Sequence, residues 1–402
     1  MKLANVKKAF VHIAFLKTLK ALSFHPDNTR ITTTSNRRSF LSKTTALVIG
    51  GGIVTANILP TTEAQAVVLS ADETDNKKPN NNNPKYFVPP IPLTGKVVVI
   101  TGGTTGLGLE SAKRLAAAGA SVVVTARTEQ KGKDAVNSIN DYVRESQVDF
   151  TPKAMSVTLE LCDLSDVKSF PKRLEKVLGS NEKIDILMNN AGVMALPDRL
   201  ITKDGYEKTF QTNHLGHFAL TAKIFPLLAK DARIINVSSE AYQFAPSGID
   251  FDNLQGEKEY GPWSSYGYSK LENIYFTKEL QRRFDASNSG MAAFSLHPGA
   301  VQTDLARYLI GEQKMNEMKA NGMSLQDKLV FGTLAKLTKS VQDGASTQVF
   351  LAASSESLLA KDKGKYFNNM KPVQLKGPPE DKDKALQLWQ LSENLADVKF
   401  DI

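Results

Sequence analysis

From Leu93 onward, short apolar runs alternate with stretches of helical periodicity. "KVVVIT" (96–101) is a continuous apolar run of the kind that a strand buried on both faces carries. "LGLESAKRLAAAG" (107–119) follows with helical spacing and stops on Gly119, a predicted C-cap. The pattern then repeats. "SVVVTA" (121–126), "VTLELCD" (157–163), "IDILMNN" (184–190), "RIINVSS" (233–239) and "AAFSLHPG" (292–299) read as the second to sixth strands. Helical stretches separate them, among them "VKSFPKRLEKVLG" (167–179) and "WSSYGYSKLENIYFTKELQRRF" (263–284). Strand–helix alternation at this spacing predicts an α/β fold with a doubly wound parallel sheet of Rossmann type, whose ligands bind at the carboxyl ends of the strands.

Upstream of this body the pattern changes. Residues 1–62 are rich in Lys, Arg, Ser and Thr and nearly free of acids, as organellar transit peptides are. Within "NRRSFLSKTTALVIGGGIVTANILPTTEAQA", Arg37-Arg38 precedes an apolar run from Ala46 to Leu59 and a small-x-small site at Ala64-Gln65-Ala66. That order resembles a twin-arginine export signal. Its offset from the first residue points to a two-stage plastid address with delivery to or across the thylakoid. The alternative is an uncleaved amphipathic anchor associated with the membrane. Residues 71–92 are Asn- and Pro-rich and read as a disordered linker. The expected division is a presequence over 1–66, a linker over 67–92, the folded domain over 93–395 and a tail over 396–402.

Charge follows the same division. The chain of 402 residues carries a formal charge of +8. Residues 1–63 hold nine Lys/Arg against Asp27 and Glu63, so the body is nearly neutral. With no base-reading motif either, a nucleic-acid partner is not expected. Cys162 is the sole cysteine, which rules out an intramolecular disulfide or a cysteine-cluster metal site. His214 and His217 stand three apart, but no further His or carboxylate nearby completes a metal site, and none is assigned.

Three stretches carry chemistry. "TGGTTGLG" (101–108) joins the first strand to the first helix and spaces Gly102, Gly106 and Gly108 for a tight turn and close backbone approach to a pyrophosphate. The second strand ends in "TAR" instead of an acid. Arg127 would pair with a 2′-phosphate, which favours NADP(H) over NAD, unless it is only a solvated loop charge. In "SSYGYSK" (264–270), residues four apart on a helix share a face, so Tyr266 lies beside Lys270 while Tyr268 points away. A cation alongside a phenol stabilises the phenolate, making Tyr266 a candidate acid/base.

With "NNAG" (189–192) and Ser238-Ser239 closing the fifth strand, the chain resembles the short-chain dehydrogenases/reductases over about residues 93–395. "TNHLGHFALT", "IDFDNLQGEKEY", "YGYSKLENIYFTKEL", "HPGAVQTDL" and "LWQLSENL" resemble the retinol-dehydrogenase-like branch, which includes the WW-domain oxidoreductases and lies near the light-dependent protochlorophyllide reductases. The resemblance implies Tyr266 as general acid/base, Lys270 lowering its pKa and holding the nicotinamide ribose, Ser239 (less so Ser238) bonding the substrate carbonyl, and Asn213 holding a water. It implies cofactor contacts from Gly102, Thr104, Thr105, Gly106, Leu107, Gly108, Arg127, Asp163, Leu164, Asn190, Ala191, Gly192, Tyr266, Lys270, Pro298, Gly299 and Thr303, with Asp163 at the adenine.

In this branch the region after the "PG" turn, here 304–343, is a C-terminal substrate lid. Leu305, Leu309, Met315, Met318, Met323, Leu329 and Phe331 would adapt it to a lipophilic small molecule, or would simply pack the domain. The implied activity is an NADP(H)-dependent interconversion of a lipophilic alcohol and its carbonyl, retinoid-, carotenoid- or isoprenoid-like. Protochlorophyllide reduction and a non-catalytic NADP-binding scaffold are the alternatives. Ala300 stands where the light-dependent reductases carry a cysteine, which weighs against the first. The family also implies a homodimer through the helices after the fourth and fifth strands.

Overall fold

The structure, a computed structural model, describes residues 47–49, 52–54, 87–89, 92–146, 153–179, 181–301 and 339–402. The chain divides into Met1–Thr61 and Thr62–Ile402. In the first unit, β1 (Leu47–Ile49) pairs antiparallel with β2 (Gly52–Val54). The rest of the presequence and most of the linker lie outside the described residues. No described helix is long and apolar enough to cross a membrane.

The second unit is built on one eight-stranded sheet. Its strands are β3 (Val97–Ile100), β4 (Ser121–Ala126), β5 (Ala154–Thr158), β6 (Ile184–Asn189), β7 (Leu228–Val237), β8 (Ala292–His297), β9 (Tyr366–Asn368) and β10 (Lys371–Val373). They lie in the order β10-β9-β8-β7-β6-β3-β4-β5, all parallel except the β9–β10 hairpin. The strand order reverses between β3 and β6, where the carboxyl ends open a crevice. β3 is wholly buried and made of "VVVI", so β-branched side chains fill both faces of a central strand.

Helices cover the two faces. On one lie α1 (Gly106–Ala117), α2 (Glu129–Glu145) and α7 (Val341–Ala353), packing Leu115, Ile139 and Val349 against Phe294 and Phe367. On the other lie α3 (Leu164–Leu178), a helix in three parts, α6 (Pro262–Ala286) and α9 (Lys382–Ala396). The three parts are α4 (Lys208–Phe210), a π-helical turn (Gln211–Leu215) and α5 (Gly216–Ile224). Between α7 and β9 comes the single turn α8 (Glu356–Leu359). Side-chain caps start several of these helices: Thr128 accepts from the Lys131 N–H, Asp163 from Asp166, Ser340 from Asp343 and Asp381 from Lys384.

The structure corrects several expected boundaries. The third strand is β5 (Ala154–Thr158), displaced upstream of "VTLELCD", because Glu160 to Asp163 form a turn that leads into the Asp163 cap. A seventh parallel strand and its hairpin, β9 and β10, come after the region read as a lid. The last residues also pack. Val398 is buried, and the Phe400 ring sits 4.6 Å from that of Trp389, in a cluster with Phe218 and Phe276. α9 thereby lies across α5 and α6, the helices through which the family resemblance implies self-association. Ahead of Leu93, Phe87 is already anchored: its N–H reaches the Ser346 hydroxyl and its carbonyl accepts from Arg114.

Candidate active site

The crevice is closed at its base by hydrogen bonds whose directions can be assigned. A backbone carbonyl can only accept, so His217 Nδ1, 3.1 Å from the Asn213 carbonyl, carries the proton. Burial pushes the His217 pKa down to about 4, so the ring is neutral and its Nε2 accepts from the Thr101 hydroxyl at 2.8 Å. The lone pairs of Thr101 Oγ1 are then free for the N–H groups of Asn190 (2.9 Å) and Ala191 (3.0 Å). One threonine thus ties the end of β3 to the turn after β6 and to the π-helical turn. The neighbouring His214 meets Ser392 at 2.9 Å inside the aromatic cluster, and its pKa is pushed down to about 3 by burial.

Above this base sits the glycine turn. Gly102 and Gly106 both have positive φ, 62° and 54°, which a residue with a side chain adopts at a cost. A Cβ on Gly108 would lie 2.5 Å from the Gly102 carbonyl oxygen and 2.6 Å from Asn190 Nδ2, so the turn closes only without one. α1 begins at Gly106 with no side-chain cap from Thr105 and no acid in its first turn. Its leading N–H groups, at Gly106, Leu107 and Gly108, have no partner within the helix and no anionic side chain in that first turn. That cradle fits a dinucleotide's pyrophosphate. Gln348 braces it from α7, donating to the Leu107 carbonyl (3.1 Å) and Ser111 (2.6 Å).

At the adenine side, Arg127 is exposed just beyond β4 and has no ion pair among the described residues. Asp163 is committed locally. One carboxylate oxygen accepts from the Asp166 N–H and the Ser165 hydroxyl, the other pairs with Lys203, and its pKa is lowered to about 2, the hydrogen bonds outweighing desolvation. The expected adenine contact therefore competes with a cap and an ion pair. Leu164 opens α3, its N–H held by Asp204.

The reacting end is assembled by α6. Tyr266 and Lys270 stand one turn apart on its buried face, with the Lys270 Nζ 5.5 Å from the Tyr266 ring centroid. Burial pushes the Tyr266 pKa up to about 12, with a hydrogen bond to the Ser239 hydroxyl working the other way. Burial pushes Lys270 down to about 8. Desolvation, not the neighbouring cation, thus sets the direction in which the phenol shifts here.

Ser239 and Ser238 part company here. The Ser238 hydroxyl donates to the Lys270 carbonyl at 2.7 Å and is buried, whereas Ser239 reaches Tyr266. Ser239 Oγ accepts the Ala241 N–H at 3.1 Å, so its single proton is what it has to offer Tyr266. Asn213 is fully buried. Its amide donates to the Val193 carbonyl and to Ser269, both at 2.9 Å, and its oxygen accepts the Val193 N–H. Both amide hydrogens are therefore used within the protein.

A Cβ on Gly192 would lie 3.1 Å from Asn213 Oδ1 and 3.7 Å from Lys270 Nζ, which places that glycine against both. Pro298 and Gly299 follow β8, and Gly299 (φ 98°) packs on Lys339. Thr303 lies outside the described residues, as does most of the region read as a lid. Its two stems are described: Val301 bridges Lys339, and the Lys339 N–H donates to the Ala300 carbonyl at 2.7 Å.

A doubly wound α/β sheet with a glycine cradle at the strand reversal, a buried Tyr266–Lys270 pair and the half-buried Ser239 defines a Rossmann-type oxidoreductase fold. The comparisons agree. The chain matches the short chain dehydrogenase family over residues 96–314. It is 35% identical to retinol dehydrogenase 12 of Mus musculus, covering 77% of this chain and 89% of that protein. It is 33% identical to retinol dehydrogenase 14 of Homo sapiens, covering 74% and 85%. Among solved structures, an uncharacterized protein from Mycobacterium Paratuberculosis aligns with a TM-score of 0.59 at 29% identity, covering 79% of this chain and all of that one. The chain belongs to the short-chain dehydrogenase family, on the retinol-dehydrogenase-like side.

Sequence reasoning missed Thr101 and His217 as the base of the crevice, and Gln348 as the brace of the cradle. Only their apolar surroundings and the strand-end position of Thr101 hinted at them.

Lys270 carries a cost that pH exposes. The unfolded lysine titrates near 10.5 and the folded one near 8, so the penalty of burying its charge is complete below pH 8 and gone above 10.5. The carbonyl it serves, Val237, also accepts from Asn273, so removing the ammonium leaves no orphan. Lys270→Met should therefore stabilise the fold by about 3 kcal/mol at pH 7, because each tenfold loss of proton affinity on folding is worth about 1.4 kcal/mol. Urea unfolding should show the gain shrinking from pH 8 to 10.5. Equal or lower stability of the variant at pH 7 would contradict the assignment.

Proposed function

We propose that this protein is an NADP(H)-dependent oxidoreductase that interconverts a lipophilic alcohol and its aldehyde or ketone. The observation that carries the reading is the Ser239–Tyr266–Lys270 group, set beside the glycine cradle where the strand order reverses. When bound, the dinucleotide supplies or accepts the hydride. The chain's own residues do the rest. Ser239, its oxygen already holding the Ala241 N–H, donates its proton to the carbonyl oxygen and holds it beside the phenol. Tyr266 keeps its proton at neutral pH and delivers it to that oxygen as negative charge develops there. The Lys270 ammonium then stabilises the phenolate that remains.

Two observations support the finer points. Arg127, exposed beyond β4 and unpaired among the described residues, suits a 2′-phosphate and therefore NADP(H). Phe244 and Trp263 form a half-buried aromatic wall running to the acid/base, their ring centroids 5.5 Å apart and Trp263 6.3 Å from Tyr266. Such a wall suits an apolar substrate, in keeping with the names of the retinol dehydrogenases to which the chain is similar. A retinoid-, carotenoid- or other isoprenoid-like carbonyl is the proposed class.

The protein beginning at residue 67 should consume NADPH with a lipophilic aldehyde and prefer it to NADH. Tyr266→Phe should lower kcat by about 100-fold or more with dinucleotide affinity retained. Arg127→Asp should reverse the NADPH/NADH preference. Wild-type protein that binds neither dinucleotide would end the enzymatic reading.

The basic, acid-poor residues 1–66 support a plastid, thylakoid-associated location. A fluorescent protein fused after residue 66 should enter isolated plastids and be shortened there. Retention outside them, or no dependence on Arg37-Arg38 for thylakoid delivery, would count against the address.

A further inference from the structure

We propose that His297, Glu240 and Asn368 are positioning residues that aim the Ser239 hydroxyl at the reacting oxygen. The inference rests on the oxidoreductase reading above, but concerns residues that the reading leaves without a role. Ser239 ends the extended run after β7 and caps a 3-10 turn, Glu240–Phe244. Where Ser239 Oγ points is therefore set by how that turn is held, and it is held from two sides.

On one side α6 comes unusually close. A Cβ on Gly267 would lie 2.7 Å from the Ala241 carbonyl oxygen and 2.8 Å from Phe244 Cβ, so the turn rests directly on the backbone beside Tyr266. On the other side Glu240 is clamped by the neighbouring strands. Its backbone N–H donates to His297 Nδ1 at 3.2 Å. One carboxylate oxygen accepts from Asn368 Nδ2 at 3.4 Å, and the other lies 3.7 Å from His297 Nε2.

These contacts fix the tautomer. A backbone N–H can only donate, so Nδ1 bears the lone pair and the ring proton sits on Nε2, facing the Glu240 carboxylate. The same imidazole thus bonds the main chain of the residue after Ser239 and turns its Nε2 proton towards that residue's carboxylate. His297 is the last residue of β8 and Asn368 the last of β9, so the clamp fastens the serine turn to two paired strands of the sheet. A serine so placed can err little: displacement of a catalytic group by about 1 Å can cost on the order of 100-fold in rate.

The clamp requires an acceptor where Nδ1 stands. Asparagine offers its Oδ1 near that place, glutamine carries its oxygen further out towards Nε2, and leucine offers none. His297→Leu should lower kcat by roughly 30-fold or more while NADPH affinity stays within about twofold. His297→Asn should recover to within about threefold of wild type, and His297→Gln should not. In a Ser239→Ala background His297→Leu should cost less than about twofold further, because a residue that acts through Ser239 falls silent once that hydroxyl is gone. Equal loss with and without the serine, or a His297→Leu enzyme of wild-type kcat, would overturn the proposal. If His297→Leu does not fold, Asn368→Ala enters the same cycle, with the same two outcomes.

A second readout needs no turnover. The carbon-13 signal of Tyr266 Cζ, assigned by its loss in Tyr266→Phe, reports the hydrogen bond from Ser239. His297→Leu should move it as Ser239→Ala does, and His297→Asn should leave it in place. If wild type reduces no carbonyl yet the signal moves in this way, the functional reading fails and the clamp stands. If carbonyls are reduced and the signal ignores His297, the clamp fails alone.

Discussion

The architecture of the crevice depends on the hydroxyl of Thr101. It is one group with one proton and two lone pairs, and all three are used: the proton on His217, the lone pairs on the N–H groups of Asn190 and Ala191. Parallel strands end with unpaired N–H and C=O groups, and at the strand reversal no neighbouring helix covers them. Thr101 satisfies two of those donors and, through His217, fastens them to the π-helical turn that carries Asn213. The Asn190 amide then returns to the carbonyls of Thr101 and Gly102, closing the ring under the glycine turn. A cradle made of backbone stays open only if backbone groups beneath it are satisfied elsewhere, and this side chain does that.

The reacting groups obey the opposite economy. Tyr266 and Lys270 are buried where neither welcomes a charge, and desolvation moves each towards its neutral form. Lys270 is an unfavourable lysine kept beside the phenol ring. At Tyr266 the Ser239 hydrogen bond works against desolvation, so the serine is tied to the tyrosine as well as to its own turn. This explains why its orientation warrants an imidazole, a carboxylate and an amide to hold it.

Much of this is legible in the chain. The alternation of apolar runs with helical periods indicates the class of fold, because buried parallel strands must be apolar on both faces. The spacing of Tyr266 and Lys270 puts them on one face of α6, and the glycines of 101–108 mark the cradle. Other features cannot be read. The third strand lies earlier than its pattern suggests, because the apolar residues Leu159 and Leu161 continue that pattern into a turn stopped by the Asp163 cap. β9 is three residues long and owes its place to pairing with β8, a contact that local sequence does not encode. His217 looks like packing because its aromatic and apolar neighbours give no sign of the threonine it meets 116 positions away. The direction in which the Tyr266 pKa moves depends on burial, a tertiary quantity, whereas sequence offers only the neighbouring cation.

Gly267, between the two tyrosines of "SSYGYSK", has no chemistry of its own, and a motif written as Tyr-x-x-x-Lys passes over it. In the structure it is a bare patch of helix, and the serine-bearing turn rests there at a depth that a methyl group would prevent. A side chain there would preserve the signature while pressing on the turn that carries Ser239, so the one position that the Tyr-x-x-x-Lys spacing leaves unspecified here is where two segments of backbone meet.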